Sequence, residues 1–324
     1  MNKYKNMNLR MFDASDITRD DAAALIPTQE ATEIIQGAVA QSAVLSRGRR
    51  LANMTSHQYR MPVLDMLPVA YFVNGDKGTK KTTKMKWDKK IITAEEIAVI
   101  VPIPEAVLDD SEYDIWAEVR PRLVEAFGNK IDGAILFGED KPDTWRDDIL
   151  ATATKAKSVK AITADLYGDL LGEGGTISMV EDSGYMVNGH ISDISMRAKL
   201  RGLRDDNKQP IFMHNMQDAT NYSLDGSPIT FPANGAFDAT KALMISGDFN
   251  QLVYSVRQDI TFKIFDQGIV QDPSTGDIVY NLMQNDMVAL RAVMRLGWEL
   301  PNPINARKPD KTQRCPFSVL TPSV

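Results

Sequence analysis

Apolar and polar residues alternate on both sides of a turn between Tyr59 and Leu108. The arms are residues 59–65 and 83–87, and the turn sequence lies at 73–78. Asn-Gly and a second glycine in that turn supply the positive φ angles that a tight reversal requires. The pattern predicts an extended β-hairpin, and the β-branched run at 97–103 predicts the strand that follows it.

After this strand the apolar residues are spaced further apart. Between Asp114 and Phe137 the apolar residues recur every three or four positions, which predicts one long helix with a single buried stripe. The stripe consists of Trp116, Val119, Leu123, Phe127, Ile131 and Ala134. Gly138 is the predicted stop, and Pro121 predicts a kink near Ala117 because its ring clashes with the preceding turn.

Shorter elements are predicted in the rest of the chain. The pattern predicts a helix at 161–171 with Thr163 as N-cap and Gly172 as its end, a buried strand at 185–190 ending in a turn, and a helix at 192–204. The periodicity of residues 286–298 fits either a strand or a helix. The tail at 301–324 contains five prolines, which predicts an extended arm over the surface.

Charge is distributed unevenly around the hairpin. Residues 77–90 contain seven lysines and one acid, a net charge of +6, whereas residues 105–148 contain thirteen acids and five bases, a net charge of −8. An isolated two-stranded hairpin is marginally stable in water, so a basic one is best explained by contact with an acidic surface, which a second copy of the chain would supply. Charge runs also commonly mark solvated faces, and that alternative stays open.

Composition indicates an ordinary globular protein. The chain has 324 residues, 43% of them hydrophobic and 25% charged, enough for a sizeable core and about two domains. No apolar run approaches a membrane span, and residues 1–10 lack the apolar core of a signal peptide, so we expect the cytoplasm and no membrane. A net charge of −6 argues against sequence-specific binding of nucleic acid.

Candidate catalytic and metal-binding residues are few. The single cysteine, Cys315, excludes an internal disulfide and is expected to be a surface or half-buried thiol rather than a nucleophile. His57, His190 and His214 have no metal-ligand spacing. The glycines at 172–175 lack the Gly-Lys-Ser/Thr of a phosphate loop. We therefore predict no catalytic residue, metal or cofactor.

The order of several segments resembles one known family across nearly the whole chain. These segments are Leu-Ile-Pro-Thr-Gln-Glu-Ala-Thr-Glu-Ile-Ile at 25–35, the run from Lys89 to Ser111, Met-Ile-Ser-Gly-Asp-Phe at 244–249 and Ile-Thr-Phe at 260–262. Together they resemble the major capsid protein of tailed bacteriophages, with the Hong Kong 97-type fold. The resemblance favours a strand at 286–298, paired with the strand near residues 97–101.

The fold implied by this resemblance is α+β. It has an N-terminal arm (1–30), a short helix and arm region (31–57), an extended β-hairpin loop (58–96), a peripheral domain with the long spine helix and a β-sheet (97–150 plus 277–324), and an axial domain (151–276).

The function implied by the resemblance is structural. Copies of such a protein assemble into pentamers and hexamers of an icosahedral head, which encloses double-stranded DNA without reading its sequence and works with a portal protein. Only about 25 residues precede Leu25, too few for a long scaffolding segment, so a separate scaffolding protein is expected. A precursor shell that expands is also expected of this family, with assembly in the host cytoplasm.

The resemblance also assigns a role to the charged segments. In such a shell the hairpin crosses onto a neighbouring copy, and its lysines face acids at the start of that copy's spine helix. The predicted contact residues are Lys77, Lys80, Lys81, Lys84 and Lys86 on one side and Asp109, Asp110, Glu112 and Asp114 on the other.

Two other functions stay open from the sequence. An encapsulin-like compartment has the same fold and holds a cargo enzyme instead of a genome. An unrecognised cytoplasmic enzyme is the alternative of another class, and the missing catalytic constellation argues against it.

Overall fold

The computed structural model describes residues 42–70, 72, 82–109, 115–204, 207, 209, 222–272 and 275–323. Its helices are α1 (Ala43–Arg47), α2 (Glu105–Asp109), α3 (Ile115–Phe137), α4 (Ile149–Lys155), α5 (Leu166–Leu171), α6 (Thr176–Asp182) and α7 (Met196–Gly202), with a 3-10 turn at Phe249–Gln251. Its strands are β1 (Arg49–Arg50), β2 (Gln58–Met66), β3 (Lys86–Thr93), β4 (Glu95–Pro104), β5 (Val159–Ala161), β6 (Gly189–Ser192), β7 (Ser223–Leu224), β8 (Ser227–Thr230), β9 (Met244–Gly247), β10 (Val253–Phe265), β11 (Ile269–Gln271), β12 (Ile278–Asn281), β13 (Met287–Glu299) and β14 (Phe317–Thr321).

The strands form four sheets. A four-stranded sheet has the order β1-β10-β13-β4, a six-stranded sheet has the order β5-β14-β9-β6-β8-β7, and β2–β3 and β11–β12 are two-stranded. This mixture of helices and mainly antiparallel sheets confirms the α+β class. The chain divides into two compact units: the first contains the described parts of 97–123 and 260–294, and the second those of 42–96, 124–259 and 295–323.

The predicted hairpin is present as the β2–β3 pair. The two strands are antiparallel, with Gln58 opposite Thr93 and Leu64 opposite Trp87. β3 begins at Lys86, three residues after the predicted start of the second arm, and continues to Thr93. The predicted turn at 73–78 lies outside the described residues. The antiparallel pair is therefore confirmed, with its second strand displaced toward the C-terminus.

The predicted long helix is α3. It runs from Ile115 through Pro121 to Phe137 and ends at Gly138, whose φ of 69° suits glycine. The predicted stripe is buried except for Val119, which is half-buried. Residues 131–137 are all buried, so the last two turns of α3 lie in the core on every side. The kink at Pro121 stays a prediction.

Asp132 is a fully buried acid in that last part of α3. Its carboxylate accepts hydrogen bonds from the Ser42 hydroxyl at 2.5 Å, from the backbone N–H groups of Ala43 and Val44 at 2.9 and 3.2 Å, and from the Asn234 side chain at 2.9 Å. Burial raises the pKa of Asp132, while these four hydrogen bonds oppose the rise. The carboxylate therefore caps α1 from the distant helix α3.

The six-stranded sheet contains the main correction to the predictions. β14 lies between β5 and β9 in this sheet, parallel to β5 and antiparallel to β9. Phe317 is fully buried, and its ring meets that of Phe249 edge to face, with centroids 5.2 Å apart. The prediction of a surface arm is therefore wrong for residues 317–321, because the strand fills a gap between two strands that are distant in sequence.

Cys315 precedes this strand and is fully buried. The prediction that Cys315 is a surface or half-buried thiol is therefore wrong. Burial raises the pKa of the Cys315 thiol to about 11, so it is protonated at neutral pH.

The segment at 161–171 is only partly helical. Residues 159–161 form β5, and α5 begins at Leu166 with Asp165 as its N-cap, which accepts a hydrogen bond from Gly168 N. Thr163 instead donates its backbone N–H and its hydroxyl to the Asp169 carboxylate. The predicted N-cap at Thr163 is therefore wrong, whereas the predicted end at Gly172 is confirmed.

The strand predicted at 185–190 is displaced toward the C-terminus. The Asn188 side chain donates a hydrogen bond to Asp248 at 2.8 Å and accepts one from Phe249 N at 2.9 Å. The strand β6 begins at Gly189, where a turn was predicted, and includes Ser192. The following helix, α7, is correspondingly shorter than the predicted 192–204.

Residues 287–299 form a strand, β13, between β10 and β4. The predicted strand and its pairing with the segment at 97–101 are confirmed. Gly297 shows how closely this strand is packed, because a Cβ atom there would lie 2.3 Å from the Thr93 carbonyl oxygen.

Candidate interaction surface

The β2–β3 hairpin exposes large apolar side chains along much of its length. Trp87 is 62% exposed and Phe72 is fully exposed. Met66, Val69 and Met85 are also exposed. Several large exposed apolar side chains in one segment are typical of an interaction site, and an isolated two-stranded ribbon gains stability from packing against another element.

Ion pairs lie at the end of the β2–β3 ladder that is nearer the turn. The Asp65 carboxylate lies 3.1 Å from Lys86 Nζ and 3.4 Å from Lys311 Nζ, and Lys311 also lies 3.5 Å from Asp88. Hydrogen bonds from Lys86 and then Lys311 lower the pKa of Asp65 below its usual value. The backbone N–H of Ile304 also donates to the Leu64 carbonyl at 3.1 Å.

The predicted lysines of the hairpin therefore differ in their availability. Lys86 is engaged by Asp65, whereas Lys84 is exposed. Across the part of the chain that the structure describes, Lys84 and the exposed Lys89 form no ion pair. Lys77, Lys80 and Lys81 lie outside the described residues. Among the described residues, Lys84 is thus the predicted contact lysine without an ion-pair partner.

A groove in the first unit combines apolar walls with acids. It encloses about 320 Å³ and is lined by Glu105, Leu108, Asp109, Trp116, Ile264, Asp266 and Val288. Trp116 is 2% exposed. Among the described residues its indole Nε1 has no hydrogen-bond partner. Of the predicted acids, Asp109 lines this groove, while Asp110, Glu112 and Asp114 lie outside the described residues.

The first unit also exposes apolar residues outside the groove. Ile264 lines the groove and is about half exposed. Ile269, Ile278, Val279 and Met283, in and beside the β11–β12 ribbon, are also exposed. The first unit therefore has a surface that is both apolar and acidic, and the hairpin has one that is both apolar and basic.

Sequence reasoning missed several residues of these surfaces. Trp87 and Met85 were assigned only to a strand arm, although large apolar residues in the arm of an isolated hairpin are themselves a signal of contact. Asp65 is the extra residue of a bulge, between the pairs Leu64–Trp87 and Met66–Lys86. Alignment of the two arms places Asp65 beside Lys86. No sequence signal indicated Asp266, because it lies far along the chain from Asp109.

The histidines of the described residues lie in different environments. His190 is fully buried, with Nδ1 2.8 Å from the Ser246 hydroxyl, and burial lowers its pKa to about 4. His57 is exposed, and His214 lies outside the described residues. Within the described ranges, no three His, Cys, Asp or Glu residues are grouped as a metal site. The described helices include none with the length and hydropathy of a membrane span.

Comparison with known proteins identifies relatives of the whole chain. The model of the phage capsid family matches residues 22–308. The major capsid protein of Staphylococcus phage 80alpha is 26% identical over 269 residues, which cover 82% of this chain and 78% of that protein.

Solved structures resemble the fold as well. A structure from Microbacterium phage Oxtober96 has a TM-score of 0.75 at 33% identity and covers 95% of this chain and 100% of that chain. One from Mycobacterium phage Adephagia has a TM-score of 0.73 at 30% identity and covers 96% and 99% respectively.

Proposed function

The chain belongs to the phage capsid family, and from that premise we infer that it is the major capsid protein of a phage head. The observation that carries this inference is the family match over residues 22–308, together with the likeness to phage structures along nearly the whole chain. The family consists of structural proteins, so the work of this chain is assembly and not catalysis. No residue is assigned a catalytic role.

Electron microscopy of the expressed chain tests the assembly function. The chain is produced alone and together with the genes that neighbour its own. Closed shells or rings of five and six copies support the proposal, because closed symmetry repeats each weak contact many times. A monomer in both samples contradicts it.

We further propose that the hairpin of one copy lies on the acidic groove of another. The hairpin presents Trp87 and Met85 with Lys84 and Lys89. The groove, which the buried Trp116 also lines, presents the exposed Ile264 with three acids. The three acids are Glu105, Asp109 and Asp266. Apolar burial supplies the affinity of such a contact, and the opposite charges set its register and speed association.

Two substitutions on the hairpin test this contact. Trp87→Ala removes an exposed anchor, so we expect the subunit to melt at an unchanged temperature while shell yield falls. Lys84→Glu weakens assembly as well, and Asp109→Lys in the same chain restores it. Shell yield is measured by sedimentation, at low and at high salt, because a contact between exposed charges is screened by salt.

The matched control for Lys84→Glu is Lys157→Glu, which reverses an exposed lysine outside the hairpin. We expect the control to assemble normally. Equal yields from Lys84→Glu and Lys157→Glu would count against the hairpin contact and leave the shell function untouched.

We propose the following domain arrangement within the shell. The segment 151–276 forms the axial domain around the five- and six-fold axes, with β14 completing its sheet, and the peripheral domain contains 97–150 with residues 277–316. The six-stranded order supports the first assignment and the β13–β4 pairing supports the second.

The contents and partners of the shell are also proposals. We propose that the shell encloses double-stranded DNA, that a portal and a separate scaffolding protein join its assembly in the host cytoplasm, and that a precursor expands during maturation. Nuclease-protected DNA in purified particles would support the proposal that the shell encloses DNA. Particles that hold a cargo enzyme and no genome would support the encapsulin-like alternative.

A further inference from the structure

The two faces of the β2–β3 hairpin are buried to different extents. Residues directly opposite each other in an antiparallel pair lie on the same face. Val63 is 8% exposed, and Asp88 opposite it is half-buried. On the other face, Pro62 and its partner Lys89 are exposed, as is Trp87. One face of the hairpin is therefore covered within the chain, and the other is open.

A segment that precedes β14 reaches this hairpin. The Ile304 N–H donates to the Leu64 carbonyl at 3.1 Å. The Lys311 Nζ lies 3.4 Å from the Asp65 carboxylate and 3.5 Å from that of Asp88, on the covered face. These contacts lie within the second unit and at the end of the ladder that is nearer the turn.

This segment, residues 302–314, forms a strap that Arg314 closes on itself. Arg314 is 2% exposed. Its guanidinium donates to the side-chain and backbone oxygens of Asn302, both at 2.9 Å, and to the carbonyls of Lys308 and Pro309 at 2.7 and 3.1 Å. The Asn302 side chain donates to the Arg314 carbonyl at 2.9 Å. Because a planar guanidinium binds several oxygens at fixed angles, Arg314 holds the two ends of the strap together.

The strap is also fixed to the residues that follow α6. The Tyr185 hydroxyl donates to the Asn302 side chain at 2.8 Å, and the Asn305 side chain donates to the Ser183 carbonyl at 2.8 Å. The Lys308 N–H donates to the Asn305 side chain at 2.8 Å, within the strap. All five residues are buried or half-buried. This side of the strap is therefore part of the packed subunit.

The contacts with the hairpin are more exposed than those with the rest of the subunit. The Lys311 side chain is 61% exposed, so its ion pairs are weak and screened by salt. The hydrogen bonds of the buried Arg314 are charge-assisted, which makes them roughly twice as strong as bonds between neutral groups. Separation is therefore expected first between the strap and the hairpin.

We propose that the strap is a releasable contact that sets the direction of the hairpin. Arg314 positions the strap, and Lys311 closes it onto the hairpin. In the closed state the face with Trp87 is directed away from the chain's own strap. Loss of the Lys311 ion pairs frees the turn-side end of the ladder, whereas the other end stays bonded through Trp145 Nε1 and the Thr93 carbonyl, 3.2 Å apart. This inference concerns a single copy and goes beyond the proposed shell function.

Hydrogen exchange at single amides tests the proposal. It is followed by mass spectrometry on the unassembled full chain. The Ile304 amide reports the closed strap because it donates to the hairpin, and the Lys308 amide reports the shape of the strap because it donates to Asn305. Lys311→Gln is expected to speed exchange at Ile304 about fivefold and to leave exchange at Lys308 unchanged.

Salt and a matched control show whether the ion pairs are responsible. High salt is expected to speed exchange at Ile304 in the unmodified chain, and to add little in Lys311→Gln, where the ion pairs are already absent. The control Lys155→Gln removes an exposed ion pair with Asp147, outside the strap. It is expected to change exchange at neither amide.

The positioning role of Arg314 gives a different pattern. Arg314→Gln is expected to speed exchange at both Ile304 and Lys308, because the strap loses its shape as well as its contact. Tyr185→Phe keeps the buried ring and removes one hydrogen bond to the strap, so we expect the same pattern to a smaller extent. It replaces Arg314→Gln if circular dichroism shows that this variant is unfolded. Unchanged exchange at both amides would overturn the role of Arg314.

Two results with Lys311→Gln would overturn the proposal. One is exchange at Ile304 equal to that of the unmodified chain at low and at high salt. The other is faster exchange at Lys308, because the whole strap would then have unfolded instead of releasing the hairpin. Both results would leave the shell function standing, which the electron microscopy of the unmodified chain tests separately.

Discussion

The six-stranded sheet and the β2–β3 hairpin contain similar apolar side chains but bury them to different extents. Phe317 in the sheet is fully buried against Phe249, whereas Phe72 and Trp87 in the hairpin are exposed. The interior of the sheet is thus complete within one chain. The hairpin presents its apolar area outward, which is expected of a segment whose partner is another copy.

The largest difference between the two regions is expected from matched phenylalanine substitutions. Phe317→Ala removes a fully buried ring and is expected to lower the free energy of unfolding of the unassembled subunit by about 3–5 kcal/mol. Phe72→Ala removes an exposed ring and is expected to change it by less than about 0.5 kcal/mol. Urea denaturation measures both. Equal losses would mean that the hairpin is packed within the chain.

Acid is expected to destabilise the sheet through His190. Burial is the main cause that lowers the His190 pKa from 6.5 to about 4, and Arg47 lowers it further, while the Leu224 carbonyl and Asp225 raise it. Between about pH 6.5 and pH 4 the His190 imidazole binds a proton in the unfolded chain but not in the folded chain. The free energy of unfolding therefore falls as the pH drops through this range, by up to about 3 kcal/mol.

Denaturation midpoints measured across this pH range check the prediction. His190→Asn is expected to remove most of the slope, and His57→Gln, a change in an exposed histidine, is expected to keep it. A slope that survives His190→Asn would assign the acid sensitivity to other groups.

A smaller loss is expected from the buried acid in α3. Asp132→Asn places an amide where three backbone or side-chain N–H donors converge, so at least one donor loses its acceptor, at a cost of about 1–3 kcal/mol. Asp140→Asn changes an exposed acid near the same helix end and serves as the control. Equal melting temperatures for the two variants would show that α1 is held without the carboxylate.

The smallest effect is expected at the turn-side end of the β2–β3 ladder. Asp65→Asn removes the ion pairs with Lys86 and Lys311, which are exposed and therefore screened. The unfolding midpoint of the subunit is expected to shift by little more than the measurement error, and less at high salt. A large shift would place this end of the ladder among the stability-determining parts of the fold.

Local patterns predicted the elements that are specified by neighbouring residues. The spacing of apolar residues predicted the stripe of α3 and the arms of the hairpin, and a single glycine, Gly138, predicted the end of α3. β13 was ambiguous by periodicity and needed the family resemblance, because its apolar residues lie on both faces of a buried strand.

Contacts between residues that are distant in sequence could not be predicted from local patterns. The prolines before Phe317 predict an extended arm, and nothing nearby indicates that β5 and β9 leave a place for β14 between them. Asp132 was counted with the surface acids, because its partners Ser42 and Asn234 lie far away in sequence. The candidate surfaces were predicted in part: the lysines were visible as a charge run, whereas the groove depends on side chains from separated segments.

The position of β14 has a consequence for the time at which the chain can fold during synthesis. Val159 and Ile245 leave the ribosome long before Val319, which pairs with both of them. Until then β5 and β9 have unpaired edges, and such edges bind other chains readily. The sheet is therefore completed only when residues 317–321 have been synthesised. A chain that stops before residue 317 keeps an open sheet, and we expect chaperones or proteases to bind it before it can assemble.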